Sequence, residues 1–164
     1  MNSNFGIISA ALLRRQGHRL LQIGIMLILY SSIDGFAIPF LRSERIGLSV
    51  HTLSALQGVF LLAQGLLWTR LRLSDNSARV AFWTSLYGTF AILAAYTIAA
   101  IWGVGNETIR LMGELPRGLV HGTGTQETVI KVLAYSSAPA GLTAFALILW
   151  GLRIDDKQSP DAAR

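Results

Sequence analysis

The stretch Ser49-Val-His-Thr-Leu-Ser-Ala-Leu-Gln-Gly58 sets an imidazole and a carboxamide within an otherwise apolar run. Both groups are costly in hydrocarbon, so ionisable residues at such positions are functional candidates by default. His51 is the one histidine inside an apolar run of this chain. Imidazole is a common ligand for transition metals and for haem iron. The alternative is a structural histidine satisfied by its neighbours. Asp34 offers a carboxylate at the end of the preceding run, either as a packing residue bonded to Ser31 or Tyr30, or as a member of a site.

Helical phase separates two of these groups. At about 100° per residue, Gln57 lies roughly 240° around a helix from His51 after one full turn. One site within one protomer cannot easily use both. If both serve a site, the helix lies between two copies of it, lending His51 to one and Gln57 to the next. That predicts a closed homo-oligomer with sites at subunit interfaces, the ring formed by a heterologous contact. The small residues Gly35, Ser54, Ala55 and Gly58 would permit close helix contact there.

The elements that must position these groups are membrane helices. Four apolar segments, residues 20–41, 48–69, 78–104 and 132–154, each approach the ~20 residues needed to cross a bilayer. Only helices and closed barrels satisfy their backbone in lipid, and these runs are continuous rather than alternating. The expected fold is all-α, a four-helix transmembrane bundle. Residues 1–19 form a cytoplasmic or interfacial segment, with a short amphipathic helix in NFGIISAALLRRQGH. Residues 155–164 form a polar tail.

Composition agrees. Charged residues make up 14% of the chain, against about 25% in soluble domains. The absence of cysteine excludes disulfides, thiolate metal sites and cysteine nucleophiles. The net charge of +5 is gathered in short clusters between apolar runs, which speaks for membrane topology and against nucleic acid. Arg14, Arg15, Arg19, Arg70, Arg72, Arg79, Arg153, Lys157 and Arg164 fall on one side; Arg42, Arg45, Arg110, Arg117 and Lys131 fall on the other. This bias predicts both termini in the cytoplasm, across a bacterial inner membrane. Trp68, Trp83, Trp102 and Trp150 lie toward helix ends, where aromatic rings favour the interface.

With up-down topology, Asp34, His51, Ser54, Gln57, Tyr96, Thr97, Tyr135, Ser136 and Ser137 fall in one half of the bilayer. The other half is mainly aliphatic, with Gln64, Thr84, Ser85 and Tyr87 as exceptions. A polar layer at one depth is what a buried site produces. For Ser136, Ser137 and Thr97 the plainer reading is a bond to their own backbone or a neighbouring helix. His18 reads as a headgroup-facing residue, and His121 as an exposed loop residue.

The run His51 to Gly58 resembles the helix-2 motif of the styrene oxide isomerase family: His, four variable positions, then Leu-Asn-Gly. Asp75 with Ala78-Arg79, Tyr96, Arg117-Gly118-Leu119 and Ala138-Pro139-Ala140 match further, in consistent order. A closer likeness is to hydroxylaminobenzene mutases, through the helix-3 entry LSDNSARVAFW followed by LYGT. These small membrane enzymes convert aryl hydroxylamines to ortho-aminophenols during nitroarene degradation. The resemblance implies a homotrimer with haem b at the subunit interfaces. It implies His51 as the axial iron ligand, Gln57 in place of the family Asn, and Tyr96 as a pocket phenol. The family's helix-3 acid is absent, since the aligned stretch reads Tyr87-Gly88-Thr89, which suggests a substrate other than an epoxide. Asp34, Tyr87 and Thr89 stand as secondary site candidates. The competing readings are an epoxide isomerase, a membrane b-type cytochrome, and a small transporter using Asp34 as its coupling carboxylate.

Overall fold

The computed structural model describes residues 3–105, 108–109 and 122–153, with side chains from residue 10 onward. His121, Arg110, the Arg117-Gly118-Leu119 match and the tail with Lys157 and Arg164 lie outside the described residues. The described residues are helical, without a strand, in the order α1 (Ser3–Asp34), α2 (Glu44–Leu67), α3 (Asp75–Trp102) and α4 (Gly124–Gly151). Short 3₁₀ turns follow α1 at Gly35–Phe40 and α2 at Trp68–Arg70. All four helices are long and apolar enough to cross a membrane.

The local sequence explains the ends. Ser43, Ser74 and Thr123 take extended backbone and accept the N–H of the residue three positions on, supplying a partner to an orphan donor of each first turn. At α4 the cap is reciprocal, because the Gln126 side chain also accepts from the Thr123 backbone N–H. Gly103, at φ 70°, closes α3 in the left-handed conformation that glycine adopts at least cost.

Two boundaries differ from the sequence expectation. α4 begins at Gly124 rather than 132, because its polar first turns are held by that capping box; Lys131 consequently lies on the helix. α1 runs unbroken from Ser3, so the basic segment containing Arg14 and Arg15 extends the first span instead of forming a separate interfacial helix. Its docking on α2 explains this. Trp68 is fully buried there, and its indole N–H donates to Gln16 Oε1 at 3.1 Å. Trp68 is thus a core anchor and not an interfacial aromatic.

α1 packs along α2 and α3 along α4, and the two hairpins join through α2 and α3. Glycine sets the first pairing. A Cβ on Gly24 would lie 2.8 Å from the Gly58 carbonyl oxygen, and one on Gly58 would lie 2.9 Å from that of Gly24. Gly17 and Gly65 repeat the arrangement at 3.0 and 2.9 Å. Gly58 therefore serves contact with α1 of its own chain, where the sequence suggested a contact between protomers.

The core forms two apolar clusters. One joins Leu20, Leu61, Trp68, Phe82 and Leu86; the other joins Ile46, Val50, Ala95, Ala99 and Ile130. On α2 they meet between Val50 and Leu61, the stretch carrying His51, Ser54 and Gln57.

Candidate active site

The imidazole of His51 is held by the end of α1. Asp34, the last residue before the chain tightens into the 3₁₀ turn, places Oδ1 3.0 Å from His51 Nδ1. A carboxylate facing Nδ1 accepts its N–H, which puts the ring proton there and leaves the Nε2 lone pair for a ligand. Ser54 donates to the other carboxylate oxygen at 3.5 Å and to the His51 carbonyl at 2.9 Å. Ser31 donates to the same carbonyl at 2.8 Å. The Asp34 side chain is 10% exposed and that of His51 36%, so the carboxylate is sheltered while the ring keeps an open side. Gly35 lies against the ring, where a Cβ would come within 3.4 Å of Cε1 and Nδ1.

Asp34 thus finds His51 and Ser54 as partners, while Ser31, named as its packing partner, goes to the His51 carbonyl instead. The spacing Asp34 to His51 spans a 3₁₀ turn and a helix start, so no periodicity could display the pair. Their common depth was readable from their distances to the ends of adjacent spans.

Gln57 faces away from this cluster, as its helical phase requires. Its Oε1 accepts from the Thr89 hydroxyl at 3.1 Å, and both line a cavity of about 160 Å³ between α2, α3 and α4. Gly88 on α3 lies against α4, where a Cβ would sit 3.3 Å from the Gly141 nitrogen. Phe60 and Phe145 meet edge to face across the cavity, with ring centroids 6.2 Å apart. Tyr96 is half-buried in a separate groove with Ser49, Thr52, Leu53 and Leu56. Tyr87, on the α4-facing side of α3, pairs its hydroxyl with Ser136 at 2.8 Å. Within one chain, then, Asp34 joins His51 and Thr89 joins Gln57, while the His51 ring and the Gln57 amide engage opposite neighbours. Sequence reasoning counted Gln64 and Ser85 only as exceptions in an aliphatic half; both line the Gln57 cavity.

The donor set bears on the cofactor. Among the described residues no three His, Cys, Asp or Glu side chains gather as a metal site. A single imidazole fixed by a carboxylate suits a metal that arrives with most of its ligands already in place, as porphyrin iron does. The residues present therefore fit a haem bound through His51 Nε2.

The styrene oxide isomerase family model matches residues 16–153. The chain belongs to the styrene oxide isomerase family. Within it, the chain is 40% identical over 135 residues to hydroxylaminobenzene mutase HabB of Ectopseudomonas oleovorans, covering 82% of this chain and 80% of that protein. It is 30% identical over 129 residues to HabA of the same organism, covering 79% and 93%. No solved structure matches. This styrene oxide isomerase family member is accordingly a multi-pass membrane isomerase of the mutase type. The match extends over all four spans, so His51, Asp34, Gln57 and Thr89 all lie within it.

Proposed function

We propose that this protein rearranges hydroxylaminobenzene and related aryl hydroxylamines to ortho-aminophenols, as a homotrimer in a bacterial inner membrane with both termini cytoplasmic. Each protomer lends His51 to one site and Gln57 to the next, with a haem b at each interface. The reaction is redox-neutral. The N–O bond breaks, an ortho carbon gains the oxygen, and the proton displaced from that carbon is balanced by protonation at nitrogen. The observation that carries the reading is the carboxylate-fixed imidazole of His51 within a membrane span, in a chain similar to two hydroxylaminobenzene mutases.

His51 Nε2 would hold the iron, and Asp34 would fix the ring plane and its tautomer. When bound, ferric haem supplies a Lewis acid for the hydroxylamine oxygen, a contribution of several kcal/mol made without a proton donor. The remaining work falls to the chain. Gln57, held by Thr89, presents its amide to the hydroxylamine and fixes its orientation. Tyr96 offers a phenol for the same purpose, and its ring face stabilises positive character on the substrate ring. Placement of the pocket among membrane spans excludes bulk water, which would otherwise capture the electron-poor ring and divert the product. An apolar aryl substrate enters from the lipid.

The family's name gives epoxide isomerisation as the second reading. Thr89, a neutral hydroxyl in the stretch where the family carries an acid, favours the hydroxylamine. Purified protein should show a Soret band and convert hydroxylaminobenzene to ortho-aminophenol faster than it converts styrene oxide. A colourless preparation that performs the rearrangement at full rate would remove the haem from the proposal. Preference for the epoxide would reverse the two readings.

A further inference from the structure

Two residues that line the Gln57 cavity, Gln64 and Ser85, each carry a polar atom without a partner. Gln64 and Ser85 are both more than nine-tenths buried, and neither Gln64 Oε1 nor Ser85 Oγ makes a hydrogen bond. Ser85 differs from several other hydroxyls of the described helices. Thr84, Ser136, Ser137 and Thr143 each bond a backbone carbonyl one turn back, the default for hydroxyls in membrane helices. Ser85 has left that default and lines the cavity. A buried polar group left unpaired costs about 1–3 kcal/mol. Both residues line one cavity, so a side-chain rotation of Gln64 or Ser85 offers its unpaired atom to an occupant that satisfies it.

The cavity constrains what that occupant is. Its ~160 Å³ is comparable to the ~150 Å³ of an engineered cavity that admits benzene. Gln64 is two turns from Gln57 along α2, about 10 Å at 1.5 Å per residue. Ser85 is one turn from Thr89 on α3. A ring whose reactive end lies beside Gln57 and Thr89 therefore points its far edge toward Gln64 and Ser85. An amide oxygen beside a hydroxyl calls for a ligand group that donates a hydrogen bond.

We propose that Gln64 and Ser85 form a recognition subsite for a hydrogen-bond-donating substituent, such as a hydroxyl, on the aromatic ring of the substrate, remote from its reacting nitrogen. The proposal rests on the mutase reading for the identity of the reactive end. It makes Gln64 and Ser85 determinants of specificity, because a site with buried polar groups discriminates against analogues that leave them unpaired.

The test compares para-hydroxymethyl with para-ethyl hydroxylaminobenzene in the wild type, in Gln64→Leu and in Ser85→Ala. The quantity read is the ratio of the two kcat/KM values. The wild type should favour the hydroxymethyl compound, and Gln64→Leu should lower the ratio about tenfold, the scale of one lost hydrogen bond. Ser85→Ala should lower it several-fold. A ratio that is the same in all three proteins overturns the subsite, whatever the absolute rates do, because a purely structural role or a bound water affects both substrates alike. Thermal melting in detergent with benzyl alcohol or ethylbenzene supplies a reading independent of turnover. Greater stabilisation by the alcohol, lost in Gln64→Leu, supports the subsite even if neither hydroxylamine reacts, an outcome that would defeat the mutase reading alone. Equal stabilisation by the two compounds counts against the subsite.

Discussion

The two sides of α2 are built on opposite plans. Toward α1 the contact is close and the polar groups are matched: His51 has Asp34, Asp34 also has Ser54, and Ser31 closes onto the His51 carbonyl. Glycine lets the two backbones approach until a methyl group could not be inserted. Toward α3 and α4 the contact opens into a cavity, one polar pair bridges it, and two buried polar atoms lack partners. The first side is suited to hold one group in a fixed orientation, and the second to receive a molecule that comes and goes. A helix carrying both can serve two neighbouring sites at once without either compromising the other.

Breaking the fixed side should have the largest effect. His51→Ala should remove haem and turnover together, a loss beyond the ~10–100-fold expected when only an outer partner is removed. Haem content and rate on the same purified sample check it, and a colourless variant with full turnover refutes the assignment. Asp34→Asn keeps the volume but removes the carboxylate, and should lower haem retention or rate by about 10–100-fold. An unchanged value would reduce Asp34 to a packing residue. Gly58→Val overpacks the α1–α2 contact and should cost about 1–3 kcal/mol of stability, read as a lower melting temperature in detergent. An unaltered melting temperature would mean that the helices separate without cost. In the separate groove between α2 and α3, Tyr96→Phe removes only the phenol oxygen. It should leave haem content intact and slow the rearrangement by about tenfold or less, the scale of one hydrogen bond. Equal rates would take the Tyr96 hydroxyl out of the mechanism.

How much of this was legible in the sequence follows the length scale of each feature. The four spans announce themselves because a run of apolar residues has few alternatives in lipid. The start of α4 does not, since Gly124 to Lys131 is polar enough to read as loop, and only the Thr123–Gln126 capping pair marks the helix. The division of labour on α2 is written in its phase: His51 and Ser54 share one face, Gln57 and Gln64 another. Which neighbour each face meets is not written there, because α1 and α3 are both apolar and the choice depends on backbone approach at Gly24 and Gly17. Trp68 misled for a related reason. Its position near a helix end suggests the interface, yet its burial depends on Gln16, 52 residues away in the chain.

The seven-residue spacing of Gly17 and Gly24, mirrored by Gly58 and Gly65, leaves α1 one seat on its neighbour. A slip of one turn would bring Leu20 or Ile28 to the place where Gly24 now admits a backbone, and neither side chain has room there. The height of Asp34 beside His51 is thereby decided two or more turns away, by residues that carry no chemistry. A mutation in that distant stretch should tilt the imidazole long before it unfolds the protein.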